Sequence, residues 1–198
     1  MIVRTIRYGF FGEDDAQRLF LHHYLTALAV DRDWQFEAHV SFPLRGGTRK
    51  KVLAQFDEAC AVGFQMHRHE CFFVGLDVDN HDVAAFAQLA SEMQEKLDTR
   101  KLTAVLMLPV QCIEHWLRYL QWRTENPGRT QNITLETEER KTAKTKLYGS
   151  PKTSARHSNP IVENIAAGID IAWLESRSAS FRAFHGQVSG YLQTQGLG

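Results

Sequence analysis

Residues 71–76, CFFVGL, carry no charged or strongly polar side chain, and this run constrains the fold more than any other part of the chain. Successive side chains of a strand point to opposite faces, so a strand that is apolar throughout must be covered on both. Such strands belong at the centre of a parallel sheet with helices packed above and below. The run stops abruptly at DVDNHD, where Asp77, Asp79 and Asp82 crowd together. Carboxylates this close raise one another's pKa unless a cation, a partner side chain or water relieves them.

The flanking sequence supplies the layers that such a strand needs. Residues 2–11, IVRTIRYGFF, alternate and then become continuously apolar, as a strand entering a core does. Gly12 breaks the run. Ala16, Leu19, Phe20, His23, Tyr24, Ala27 and Leu28 then recur at helical spacing behind an acidic first turn. Residues 34–42, WQFEAHVSF, form the next expected strand, and PLRGGTRKK is a basic loop ahead of a helix over 48–61. A helix over 82–97, a strand over 102–108 and a helix carrying Ile113, Trp116, Leu117 and Leu120 complete the alternation. This pattern specifies an α/β layered domain over residues 1–125 with a mainly parallel central sheet. From 126 the chain turns polar, with Pro and Gly among the polar residues, and reads as a mobile or partly helical connector to 158. Amphipathic helical character then returns, so residues 126–198 form a basic connector and a C-terminal helical extension.

With 23 Lys plus Arg against 23 Asp plus Glu in 198 residues, the chain has material for one core and no net charge. That balance argues against uniform coating of nucleic acid but leaves room for a local basic face. Cys60, Cys71 and Cys112 are odd in number and sit among apolar neighbours, which suggests reduced core thiols. No leader with an apolar core and cleavage site is visible, and no stretch approaches the roughly 20 apolar residues of a membrane helix, so a cytoplasmic protein without membrane contact is expected.

Ligands of open parallel sheets bind beyond the carboxyl ends of the strands. Two acidic groups fall at such ends, Glu13 after the first strand and Asp77 with Asp79 after the central one, and they converge if those strands are neighbours. Oxygen ligands of high charge density suit Mg²⁺ or Mn²⁺, and with them phosphoryl transfer or phosphodiester hydrolysis. Asp82 is a further candidate ligand that also fits an N-cap of the helix it precedes. Between 140 and 156 stand Arg140, Lys141, Lys144, Lys146, Lys152 and Arg156 with no acid among them, and Arg45, Arg49, Lys50 and Lys51 extend this basic set. Such cations would hold the phosphates that an acidic site repels. Tyr148 offers a ring for base stacking. His67 and His69 in MHRHEC form an HxH pair, which without further nearby His or Cys reads as a solvated loop.

Strand, Gly12-Glu13, helix, then an apolar strand ending in Asp77-Val78-Asp79 resembles the Toprim domain of topoisomerases, bacterial primases and overcoming-lysogenization-defect nucleases. LPVQCIEHWLRYL at 108–120 and IAAGIDIAWLESRSASFRAFHGQVSGYL at 165–192 are similar to the small stand-alone RloB-like Toprim proteins, found near restriction or ATPase genes. The resemblance implies a Toprim-like Rossmannoid fold and an anti-phage nuclease acting on DNA or RNA. Glu13, Asp77 and Asp79 would be catalytic and metal-binding, and Glu114 a fourth acidic ligand in place of a salt bridge to Arg118. It also leaves open a non-catalytic subunit working beside an ATPase partner, and a primase-like nucleotidyl transferase.

Overall fold

In the computed structural model, which describes residues 3–131 and 133–197, strands and helices alternate in the order expected. They are β1 (Arg4–Gly12), α1 (Asp15–Leu28), β2 (Trp34–Ala38), α2 (Arg49–His67), β3 (Cys71–Gly75), α3 (Val83–Thr99), β4 (Val105–Met107) and α4 (Glu114–Glu125). Beyond them lie α5 (Arg140–Tyr148), α6 (Ala155–Ala167), α7 (Ile171–Arg177) and α8 (Ala179–Thr194). Ile2, assigned to the first strand by its pattern, lies outside the described residues.

The four strands form one all-parallel sheet in the order β2-β1-β3-β4. Period-two alternation sends their side chains into two separate cores. Ile6, Tyr8, Cys71, Phe73, Val105 and Met107 enter a core closed by α1, α4, α6 and α8, whereas Phe11, Phe72, Val74 and Leu106 enter one closed by α2 and α3. CFFVG is therefore buried on both faces, as its composition requires.

The C-terminal extension is part of this packing. Phe181, Phe184, Val188 and Leu192 of α8 belong to the first core, and Gln187 binds the outer edge of β4. Its Oε1 accepts from the Leu106 N–H at 2.9 Å and its Nε2 donates to the Leu106 carbonyl at 3.2 Å, which closes an edge otherwise open to strand addition. Within the expected connector the chain is partly helical, with all of α5 and the start of α6. No helix among the described residues is long and apolar enough to cross a membrane.

Several boundaries differ from the expected ones for local reasons. β2 stops at Ala38 rather than 42, because the chain turns there, with Phe42 N–H bonded to the His39 carbonyl. The 102–108 strand shortens to Val105–Met107 because Leu102 N–H returns to the Leu97 carbonyl and closes α3. α2 runs past 61 to His67 and is terminated by Arg68 in the left-handed region, φ 54°.

The MHRHEC segment is not a solvated loop at His69. Its ring lies over Gly9 and Gly63, where a Cβ would stand 2.4 and 2.7 Å from Nδ1, and it meets the His39 ring at 2.7 Å between nitrogens. Nδ1 is buried without a partner among the described residues, which favours the tautomer whose Nε2–H donates to His39. Burial, then His39, His67 and Arg7, lower the His69 pKa from 6.5 to about 4. Between those values the unfolded chain binds a proton that the folded chain does not, so this contribution to stability is lost as pH falls from 6.5 toward 4. Wild type is expected to lose more melting temperature between pH 7 and pH 5 than His69→Gln; parallel losses would show that His69 does not titrate as the slot dictates.

Candidate acidic site at the sheet switch point

From β1 the chain moves outward to β2 on one side and then crosses to β3 and β4 on the other. The order reverses between β1 and β3, with α1 on one face and α2 and α3 on the opposite one, and this opens a crevice at the carboxyl ends of those two strands. Gly12 and Gly75 are register partners at its floor.

The side chain of Gln17, fully buried in the first turn of α1, lies across these two glycines. A Cβ on Gly12 would stand 2.8 Å from Gln17 Oε1, and one on Gly75 2.6 Å, so side chains there would collide with it. Gln17 Oε1 accepts the Glu13 N–H at 3.0 Å, and Nε2 donates to Asp77 Oδ1 at 2.9 Å. Asp77 Oδ1 also accepts the Ile113 N–H at 3.2 Å. Glu13 Oε2 accepts the Asp77 N–H at 2.8 Å, so the ends of β1 and β3 are tied together by both side chains. Asp14, not Glu13, caps α1, its side chain accepting from Gln17 N–H. Beyond Asp77 the chain continues to pair with the segment after β4, and Asp79 adopts φ 58° while its N–H donates to the Gln111 carbonyl at 3.0 Å.

The same pairing brings Glu114 in from the start of α4. Its side chain is only 2 % exposed; Oε1 accepts from the Tyr148 hydroxyl at 3.3 Å and contacts Lys144 Nζ at 3.2 Å, while Oε2 is buried without a partner among the described residues. One ligand atom each of Asp77, Cys112 and Glu114 lie within 4.8 Å of one another. Three cations close the group. Arg140 Nη2 is 3.2 Å from Asp77 Oδ2 and its Nη1 binds Asp79; Arg49 lies 3.7 Å from Asp79 Oδ2 and donates to the Asp77 carbonyl.

Burial is the main reason that the Glu13 and Asp77 carboxyls are held above the ordinary range. For Glu13 the Asp77 N–H opposes it and Asp79 adds to it. For Asp77 the Asp14 and Glu114 charges add to it and Arg140 opposes it. Burial, then Glu114 and Asp77, push the Cys112 thiol up. Burial works against the charge on Lys144 and Arg140, yet the neighbours together raise both, led by Glu114 for Lys144 and by Asp77 and Asp79 for Arg140.

No family model, no curated protein and no solved structure matches the chain.

Of the expected ligands, Glu13, Asp77, Asp79 and Glu114 are drawn into one hydrogen-bonded and ion-paired group. Asp82 is turned away to the exposed N-cap of α3, accepting the Ala84 N–H at 2.9 Å. Glu114 pairs with Lys144, and the expected competitor Arg118 faces Glu138 instead. The basic set divides. Arg45, Lys50, Lys51, Lys141, Lys152 and Arg156 are exposed, whereas Arg49, Arg140 and Lys144 are half-buried against the acids and Lys146 pairs with Glu138. Tyr148 is buried on Glu114 and offers no ring for stacking. Gln17 and Cys112 escaped sequence reasoning. The Gly12 and Gly75 pair was a usable signal for Gln17, since two glycines at adjoining strand ends make room for a crossing side chain.

Proposed function

We propose that the chain is a Toprim-type nuclease that uses Mg²⁺ or Mn²⁺ to cleave DNA or RNA phosphodiesters, within an anti-phage defence system. The observation that supports this best is the grouping of Asp77, Cys112 and Glu114 at the switch-point crevice beside Glu13, with Glu114 Oε2 buried and without a partner among the described residues. The group that could hold such an ion is Asp77, Cys112 and Glu114, two carboxylates and a thiol, with Glu13 bound to the Asp77 N–H beside it; its carboxylate oxygens suit a hard divalent cation. When bound, the ion supplies Lewis acidity to the scissile phosphate. Glu13, held by the Asp77 N–H through Oε2, accepts the proton of the attacking water, and its raised pKa suits a general base. As the water oxygen bonds to phosphorus, the bond to the leaving ribose oxygen breaks, and the proton on Glu13 is available to that oxygen. The exposed Arg45, Lys50, Lys51, Lys141, Lys152 and Arg156 hold flanking phosphates without reading bases.

The test is cleavage of single- and double-stranded DNA and RNA with Mn²⁺ by wild type, Glu13→Gln and Asp77→Asn. A loss of about 10²–10⁴-fold is expected in both variants. Equal rates in all three would sink the assignment.

The filling of the acidic group by Arg49, Arg140 and Lys144 favours a second reading, a non-catalytic subunit assembled with an ATPase partner. Copurification with such a partner and absence of divalent-metal binding would distinguish it.

A further inference from the structure

We propose that α5 is a displaceable cationic latch, in which Arg140 and Lys144 neutralise the acidic group until a divalent ion and a polyanion replace them. This rests on the metal reading above. Arg140 and Lys144 are one helical turn apart and face the same way, Arg140 onto Asp77 and Asp79 and Lys144 onto Glu114. They come from a segment that follows β4 and α4 in the chain and reaches back over the crevice.

The latch is an imperfect substitute for a metal. Lys144 meets only one oxygen of Glu114 and leaves Oε2 buried without a partner among the described residues, an arrangement whose cost a multivalent cation with several ligands would remove. A divalent ion on Asp77 and Glu114 cannot share those carboxylates with Arg140 and Lys144, because like charges at contact distance repel strongly in a half-buried site. Beyond its ion pairs, α5 is anchored chiefly through its last turn, where Leu147 and Tyr148 enter the first core. Its buried residues are Ala143, Leu147 and Tyr148, and it ends at Gly149 in the left-handed region, φ 75°, followed by the polar stretch 150–154. Released from the carboxylates, Arg140 and Lys144 join the exposed Lys141 on one short helix, a cluster suited to successive phosphates. The cations that close the empty site therefore become phosphate contacts in the occupied one.

The full-length chain is tested in two ways. Free Mn²⁺ is followed by electron paramagnetic resonance for wild type and Arg140→Gln/Lys144→Gln, and amide exchange across 138–148 is measured with and without Mn²⁺. The latch predicts at least ten-fold tighter Mn²⁺ binding by the double variant, and faster exchange of α5 in wild type once Mn²⁺ is added. Equal affinities with unchanged α5 exchange would overturn the latch and leave the metal reading standing. If neither protein takes up Mn²⁺, both fall.

Discussion

Trp116→Ala is expected to lower the unfolding free energy by about 3–5 kcal/mol, the range for truncating a large buried aromatic. Trp116, on α4, is fully buried and touches two further helices at once. Its ring centroid lies 5.3 Å from that of Phe20 on α1, and 5.2 and 5.7 Å from those of Phe181 and Phe184 on α8. Its indole N–H donates to Ser180 Oγ at 2.9 Å, and Ser180 in turn binds Glu136 together with Ser178. Truncation would open a cavity where α4 joins the C-terminal helices and leave Ser180 one donor short. For a chain of this length, the loss corresponds to a fall of roughly 10 °C in melting temperature. Calorimetry or urea titration would show it. A cost below about 1 kcal/mol would mean that the α1, α4 and α8 seam is not the core of the first layer.

Gln17→Leu is expected to cost about 2–4 kcal/mol despite keeping the volume and adding apolar surface. The substitution removes the acceptor of Glu13 N–H and the donor to Asp77 Oδ1, both inside the protein, and the second of these bonds is to a carboxylate. Unmade bonds to buried groups cost more than formed ones contribute, and more again when one partner is charged. A cycle with Asp77→Asn separates this coupling from packing, since the two residues touch and should be non-additive. Additive effects would show that Gln17 fills space without orienting Asp77.

Much of the architecture was legible because it depends on local periodicity. CFFVG admits only a strand buried on both faces, and the i, i+3, i+4 stripe after Asp14 admits only an amphipathic helix. Where the pattern was followed too far, short-range hydrogen bonds decided the end, as in the turn at Phe42 that stops β2 and the return of Leu102 to Leu97. The C-terminal extension was recognised as helical, but its place against β4 was not. A polar Gln187 gives no sign in sequence that it will complete the ladder of an edge strand.

The site was only half legible. Acids at strand ends mark a crevice, and Asp82 was equally readable as the cap that it proved to be. The run 140–156 looked like a free basic surface because charge along a sequence shows sign and not direction. Arg140 and Lys144 turn out to face inward, one turn apart, onto Asp77 and Glu114.

The layers, the strand with two buried faces and the carboxylates at its end are written in the residue pattern. These follow from side-chain period and from the cost of exposing apolar surface, which act over a few residues. Long-range packing sets β1 beside β3, lays Gln17 across Gly12 and Gly75 to join Glu13 to Asp77, and brings α5 back onto Asp77 and Glu114. Those facts depend on contacts between residues far apart in the chain, where strand order and burial, not local propensity, set which charges must meet.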